Sequence, residues 1–145
     1  MTVRFRKLDD RAVTPTYGSS AAAGADLYAV LDTPLTLNAG ETALVHTGLA
    51  VEIPDGYVGL VCARSGLATK RGLAPANKVG VIDADYRGEL MVALHNHSGA
   101  HQTVNGGERI AQLLILPYLT AEFTEVEELS DTVRGGGGFG STGTN

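Results

Sequence analysis

The stretch Gly80-Val-Ile-Asp-Ala-Asp-Tyr-Arg-Gly-Glu-Leu-Met91 places a polar turn between two short apolar runs. The run after the turn alternates, so that Leu90, Val92 and Leu94 share one face of a strand. This pattern predicts a β-hairpin whose loop is too long for a two-residue turn. The loop holds Asp83 and a second carboxylate beside a tyrosine, an arrangement suited to holding a water molecule or a base. A solvated hairpin tip is the alternative for the same residues.

Short apolar runs separated by turn residues continue on both sides of this stretch. Turn signals such as Asn38-Ala-Gly40 and Pro54-Asp-Gly56 separate them. The predicted strands are residues 3–7, 26–30, 35–37, 42–46, 50–53, 57–62, 79–82, 90–96, 101–104, 109–117 and 123–125. Many short strands with turns every 8 to 12 residues, roughly, predict an all-β sandwich or jelly roll.

One segment, residues 64–72, departs from the β pattern. Ser65 is a typical N-cap residue, basic residues occupy the last turn, and Gly72 provides a stop. We predict a helix of at most two turns. Its N-terminus would offer unpaired N–H groups beside Arg64, and such a helix end can bind an anion. A capped connector with a solvated arginine is the alternative.

Composition and charge limit the classes of function. A chain of 145 residues fits one domain. The net charge of −5 argues against non-specific binding of nucleic acid, which needs a basic surface. The single cysteine, Cys62, allows no intrachain disulfide and suits a reducing compartment. No apolar run approaches the ~18 residues of a membrane span. We therefore expect a cytoplasmic protein that binds neither nucleic acid nor membrane.

The composition changes near residue 131, where a glycine-rich tail with Arg134 and Phe139 begins. Because this tail has too few apolar residues for a core of its own, we expect one domain over residues 1–130 and a flexible arm over residues 131–145. Gly-rich backbone can wrap around phosphates, with Arg134 and Ser141 as donors. A disordered terminus is the alternative.

Five blocks of the sequence, in order, resemble the five motifs of the trimeric dUTP pyrophosphatase (dUTPase) family. They are Ala23-Gly-Ala-Asp-Leu-Tyr28, Arg64-Ser-Gly-Leu-Ala68, Gly80-Val-Ile-Asp-Ala-Asp-Tyr-Arg-Gly-Glu89, Gly107-Glu-Arg-Ile-Ala-Gln112 and Arg134-Gly-Gly-Gly-Gly-Phe-Gly-Ser-Thr-Gly143. The chain departs from the family at Ala63, where proline is usual. The resemblance implies a jelly-roll subunit of the dUTPase type (a β-clip) with one short helix, in a homotrimer with active sites at subunit interfaces.

The resemblance also implies a reaction, the Mg²⁺-dependent hydrolysis of dUTP to dUMP and pyrophosphate. This reaction would limit uracil incorporation into DNA and supply dUMP for dTMP synthesis. Asp83 would activate the water that attacks the α-phosphorus. The triphosphate would hold most of the Mg²⁺ coordination, and Asp26 of a neighbouring subunit would reach the ion through water.

The other implied roles concern substrate binding. Uracil would be read by backbone groups near Val81, Ile82 and Met91 and by the Asn77 side chain, and Tyr86 would pack under the deoxyribose. The phosphates would be held by Arg64, Ser65, Gly66 and Gln112. The arm of another subunit would close the site with Arg134, Phe139, Gly140 and Ser141.

Two other functions remain open at this stage. The dCTP deaminases have a related fold, and some also hydrolyse dUTP. Their deamination uses a glutamate in the strand after the turn, whereas this chain has Ala93 at about that position. A non-catalytic binding or regulatory member of the fold is the second alternative.

Overall fold

The computed structural model describes residues 1–138, and these residues form eleven strands and one helix. The strands are β1 (Arg4–Lys7), β2 (Thr16–Tyr17), β3 (Ala25–Tyr28), β4 (Leu35–Leu37), β5 (Thr42–Glu52), β6 (Tyr57–Cys62), β7 (Leu73–Pro75), β8 (Val79–Ile82), β9 (Glu89–Asn96), β10 (Gln102–Val104) and β11 (Arg109–Pro117). Helix α1 (Ser65–Arg71) follows β6. The prediction of an all-β fold with one short helix is confirmed. This seven-residue helix, the one found in residues 1–138, is too short to cross a membrane.

The strands form two main sheets and a small pair. One sheet has the order β1-β5-β9-β7, the other has the order β2-β3-β11-β6-β8, and β4 pairs with β10. Their strand pairs are antiparallel. Side chains from all three sheets meet in one apolar core. This arrangement is a β-sandwich.

Strand β9 illustrates how the sequence pattern builds this core. Leu90, Val92 and Leu94 are at most 2% exposed, whereas Met91 on the opposite face is 37% exposed. The predicted alternation is therefore confirmed. Full burial of one such side chain contributes about 1.5–3 kcal/mol relative to leaving it in water.

The predicted hairpin around residues 83–88 is wrong. Strand β8 pairs with β6, through Gly59↔Ile82 and Val61↔Gly80, whereas β9 pairs with β5 and β7. The two strands therefore enter different sheets, and the turn between them crosses the edge of the sandwich. The apolar pattern fixes which face a strand buries, but it does not fix the strand's hydrogen-bonding partner.

Strand β5 also differs from prediction, because the two strands predicted at residues 42–46 and 50–53 are replaced by one continuous strand, Thr42–Glu52. A register shift between His46 and Ala50 marks a β-bulge within it. Gly48 lies in this bulge with φ of 66°. A Cβ at Gly48 would also lie 2.9 Å from that of Ala12, so both backbone conformation and space require glycine there.

Three further segments depart from the sequence-based prediction. Strands β2 and β7, of two and three residues, were not predicted. Residues 123–125 form no strand, and Phe123 is 95% exposed. Cys62, the last residue of β6, is half-buried.

Helix α1 begins one residue earlier than predicted. Arg64, with φ −88° and ψ 124°, takes the N-cap position, and no side-chain hydrogen bond caps the helix. Ser65 is therefore the first helical residue and not the cap. Gly72 ends the helix as predicted, with a left-handed φ of 65° and its N–H bonded to the Ala68 carbonyl.

Candidate active site

A cleft lies where β8 and β9 diverge. Its volume is about 230 Å³, and its lining residues are Leu44, Val81, Ile82, Asp83, Tyr86, Glu89 and Met91. Five predicted site residues therefore come together here. We call this space the Asp83 cavity.

The backbone edges beside the Asp83 cavity are rich in free hydrogen-bonding groups. Strand β8 is an edge strand of its sheet, with β6 on one side only. On its edge facing β7, strand β9 is hydrogen-bonded only from Ala93 onward, where the Ala76 N–H donates to the Ala93 carbonyl. One backbone edge of residues 79–82 and one of residues 89–92 thus remain outside the sheet ladders of the described chain. Such groups can read the polar edge of a planar base.

The turn that carries Asp83 is braced by its own side chains. The Tyr86 hydroxyl donates to the Glu89 carbonyl at 2.9 Å, and the Tyr86 N–H donates to the Asp83 carbonyl at 3.1 Å. Arg87 Nη1 donates to the Ala84 carbonyl at 2.6 Å. The Tyr86 ring lies so close to Gly88 that a Cβ there would clash with it. Asp83 itself remains exposed at the end of β8.

A second cavity of about 230 Å³ lies beside the first residues of α1. Its lining residues are Gly18, Ala22, Gly24, Asp26, Arg64, Ser65, Gly66, Arg109 and Gln112. We call it the Asp26 cavity. It gathers the four residues that were predicted to hold phosphates, together with the predicted metal-linked carboxylate. The strand order explains this, because β11 lies between β3 and β6 and places Gln112 opposite both Asp26 and Cys62.

The charges of the Asp26 cavity favour an anion. Asp26 is 6% exposed, and its Oδ1 accepts from Arg64 Nε at 2.7 Å while its Oδ2 accepts from Arg109 Nη1 at 3.2 Å. Two guanidinium groups thus face one carboxylate, which leaves an excess positive charge. Arg guanidinium groups carry further N–H donors suited to phosphate oxygens.

Gln112 is fixed by close packing. Its Nε2 donates to the Ala63 carbonyl at 2.9 Å. A Cβ at Gly24 would lie 2.6 Å from its Oε1, so the side chain needs glycine opposite it. Close packing of this kind holds the amide in one orientation.

Sequence reasoning missed Arg109. It lies in the block Gly107-Glu-Arg-Ile-Ala-Gln112, three residues before Gln112, and β11 carries both side chains to the same cavity. The bulge between Arg109 and Ala111 makes this possible, since it shifts the strand register between them. An arginine close to a predicted phosphate-binding residue was the available signal.

Other predicted residues are not among the lining residues of either cavity. The two cavities share no lining residue. Asn77 is exposed, and its Nδ2 lies near Gly80 at the far end of β8. Arg134 is exposed and donates through Nε to the Gly137 carbonyl. The predicted roles of Phe139, Gly140 and Ser141 lie outside the described residues.

The carboxylate of Asp26 suits a metal ion that is held partly by a bound ligand. Residues 1–138 contain no group of three or more side chains placed to bind a metal on their own. Mg²⁺ commonly binds one or two carboxylates together with substrate phosphates and waters. Asp26 supplies one carboxylate in a cavity suited to phosphates, and a carboxylate has about four lone-pair sites, of which the two arginines use two. The residues present therefore fit such an ion.

The far end of α1 is tied to the turn before Arg109. Arg71 Nη1 donates to Glu108 Oε2 at 2.7 Å, and the Asn105 backbone and side chain donate to Glu108 Oε1. Burial acts to raise the pKa of Glu108, but the hydrogen bonds from Arg71 and Asn105 outweigh it and hold the pKa below its ordinary value of 4.5. This contact fixes the helix relative to the strand that carries Arg109 and Gln112.

Comparison with known proteins gives consistent matches. The family model described as dUTPase matches residues 10–143. The deoxyuridine 5'-triphosphate nucleotidohydrolase of Nautilia profundicola is 49% identical over 143 residues, covering 99% of each chain. That of Paraburkholderia xenovorans is 50% identical over 130 residues, covering 89% of this chain and 88% of its own. A dUTPase of Staphylococcus bacteriophage 80alpha, solved with dUpNHpp, superposes with a TM-score of 0.90 at 32% identity, covering 99% of each chain.

We expect Glu108→Gln to lower stability in a pH-dependent way. Because the pKa of Glu108 is depressed on folding, its ionised form stabilises the protein above the unfolded pKa, and this contribution is lost as the pH falls. The variant should lose about 1 kcal/mol or less at pH 7. The difference from the natural chain should shrink as the pH drops below 4.5. Urea unfolding at one fixed protein concentration measures it.

The control for this prediction is Glu125→Gln. Glu125 is exposed in the segment after β11, so this variant changes the formal charge equally without touching the Arg71 contact. A destabilisation by Glu108→Gln that stayed constant between pH 7 and pH 4 would contradict the assignment.

Proposed function

The chain belongs to the dUTPase family, and from this premise we propose how its own residues carry out Mg²⁺-dependent hydrolysis of dUTP to dUMP and pyrophosphate. Its activity is that of a dUTP diphosphatase, and the family uses a divalent metal ion. The proposal includes Mg²⁺ as that metal and the cytoplasm as the location. In this setting the enzyme would limit uracil incorporation into DNA and supply dUMP for dTMP synthesis.

We propose that the working enzyme is a homotrimer with active sites at subunit interfaces, where each site combines cavities of two subunits. The division of the predicted residues between two separate cavities carries this proposal. Each cavity measures about 230 Å³, whereas small-molecule sites usually measure ~300–1,000 Å³. Each is therefore smaller than the usual site for a small molecule. The Asp83 cavity of one subunit would take the nucleoside, and the Asp26 cavity of a neighbour would take the phosphates.

The nucleoside is recognised by shape and by the free strand edges. Backbone groups of Val81, Ile82 and Met91 bond to the polar edge of uracil, with Asn77 as a further donor. The amino group of cytosine would find no partner there, and a buried polar group without a partner is rejected strongly. The Tyr86 ring packs under the deoxyribose and leaves no room for a 2′-hydroxyl.

Hydrolysis begins at the carboxylate of Asp83. This carboxylate accepts a proton from a water molecule held within hydrogen-bond reach, and the water attacks the α-phosphorus. The bond between the α-phosphorus and the oxygen that bridges to the β-phosphorus breaks, and the β- and γ-phosphates leave together as pyrophosphate. Arg64, Ser65, Gly66 and Gln112 hold the phosphate oxygens, and Arg109 adds to the positive charge beside them. Mg²⁺, near Asp26, would neutralise part of the triphosphate charge when bound.

The arm completes this proposal. Residues 1–130 act as the domain, and residues 131–145 act as an arm that closes over a site of another subunit. Arg134 would reach the γ-phosphate, Phe139 would stack on uracil, and Gly140 and Ser141 would contact the phosphates. Closure excludes water from the phosphate clamp and so strengthens its electrostatic interactions.

The central experiment is pyrophosphate release from dUTP, dCTP, dTTP and UTP, each with Mg²⁺ and with chelator. We expect Mg²⁺-dependent release from dUTP alone. Comparable release from several nucleotides would contradict the proposed base and sugar recognition. Full activity in chelator would contradict the role of Mg²⁺.

We expect Asp83→Asn to remove the general base without removing the binding site. Turnover should fall by about 10²–10⁴-fold while the affinity for a non-hydrolysable dUTP analogue changes little. Asp85→Asn is the matched control, because Asp85 lies in the same turn, is exposed and does not line the Asp83 cavity. Equal losses of turnover in the two variants would contradict the assignment to Asp83.

We expect truncation before Arg134 to lower turnover by more than about tenfold, because the closed state that excludes water would be lost. The urea midpoint and the size of the particle should not change, because residues 134–138, the described part of the removed segment, contribute nothing to the apolar core. A truncated chain with full activity would exclude a role for the arm in catalysis.

A further inference from the structure

Glu89 connects the turn that carries Asp83 and Tyr86 to the bulge of β5. Its Oε1 accepts from the Gly48 N–H at 2.7 Å, and its Oε2 lies 2.9 Å from Nδ1 of His46. A carboxylate only accepts, so Nδ1–H of His46 is the donor. The backbone carbonyl of the same residue accepts from the Tyr86 hydroxyl. One residue thus contacts both the rigid strand and the tyrosine.

The bulge is a firm support for this contact. The Thr47 hydroxyl donates to the Leu90 carbonyl at 2.5 Å, which binds the bulge to β9 one residue beyond Glu89. Thr47, Gly48 and Leu49 are all buried. A side chain at Gly48 would collide with Ala12, so the bulge is closely packed on that side. The Gly48 N–H is therefore held at a defined position.

Glu89 also forms a wall of the Asp83 cavity. Glu89 also lines another cavity, of about 340 Å³, whose lining includes His46, Asp9, Arg11 and Asp32. Arg11 bonds to both Asp9 and Asp32 at 2.7 Å, so these charges are paired among themselves. The remaining pair is Glu89 with His46. The Glu89 side chain is 19% exposed and that of His46 is 57% exposed.

We propose that Glu89, oriented by His46 and by the Gly48 N–H, is a positioning residue for Tyr86 and so for the choice between deoxyribose and ribose. The inference rests on the role of Tyr86 given under Proposed function. Two hydrogen bonds fix the Glu89 side chain and with it the start of β9. The backbone carbonyl of Glu89 then fixes the Tyr86 hydroxyl. The ring then lies against Gly88, where no side chain fits. Loss of the carboxylate leaves the ring held by one bond to a less restrained strand end.

The test compares five variants by their KM for dUTP and by the ratio of kcat/KM for dUTP to that for UTP. Glu89→Ala should raise KM and lower this ratio by about tenfold each, as for the loss of one or two hydrogen bonds. Its kcat should change much less, since Asp83 is retained. His46→Ala should act in the same direction but more weakly, because the Gly48 contact persists.

Two further variants separate positioning from general effects. Glu89→Gln should restore both values, since an amide oxygen still accepts from Gly48 and the amide nitrogen can bond to His46. Glu52→Ala removes the exposed ion pair with Arg4 on the same strand as His46 and should change neither value. The urea midpoint of each variant identifies any that is poorly folded. If Glu89→Ala is one of these, His46→Ala supplies the test.

Several outcomes would overturn the inference. Unchanged KM and selectivity in Glu89→Ala would do so, and so would a Glu89→Gln variant as impaired as Glu89→Ala. Tyr86→Ala separates the two levels of the argument. If it relaxes selectivity while Glu89→Ala does not, the positioning role fails and the role of Tyr86 stands. If Tyr86→Ala leaves selectivity unchanged, the role of Tyr86 fails and the inference fails with it.

Discussion

The carboxylate of Asp26 is a buried charge on which the arrangement of the proposed phosphate-binding elements depends. Burial of an ion is unfavourable unless opposite charges and hydrogen bonds compensate, and removing one partner of a buried pair typically costs about 3–5 kcal/mol. Here Arg64 and Arg109 compensate it, and they come from the start of α1 and from β11. The same contact therefore holds three elements together and collects positive charge at one point. A protein with a net charge of −5 can offer an anion site because this charge is local.

The second constraint is the separation of β8 and β9 into different sheets. If they formed a hairpin, their facing backbone groups would bond to each other and the space between them would close. Because each strand pairs elsewhere, one edge of each is left for a ligand, and the turn between them can be braced by Tyr86, Arg87 and Glu89. The proposed recognition of a base and the positions of Asp83 and Tyr86 depend on the same topological feature.

Much of the fold was predictable from local patterns. Alternation and turn residues gave the bounds of β4, β6, β8 and β11 as the structure has them. Local patterns do not specify which strands pair, so β8 and β9 were wrongly predicted to pair with each other. The N-cap of α1 was also wrongly predicted, because the backbone conformation at Arg64 determines where the helix begins. Local patterns also singled out Asp83, Arg64, Arg134 and Ser141, whereas most of the other candidate residues came from resemblance to the dUTPase motifs. Their division into two cavities depends on strand order, which a local pattern does not encode.

The segment after β11 gives a separate physical reason to consider association of subunits. Leu119, Phe123 and Leu129 are 97%, 95% and 87% exposed, and acidic residues alternate with them. A strand was predicted at residues 123–125 from this pattern, but a strand forms only where another strand pairs with it, and none does within residues 1–138 of one subunit. A run of exposed apolar side chains is typical of a contact surface. The proposed homotrimer would cover such a segment and would also bring the Asp83 and Asp26 cavities of different subunits together, so that one association would satisfy two incomplete features of the single chain.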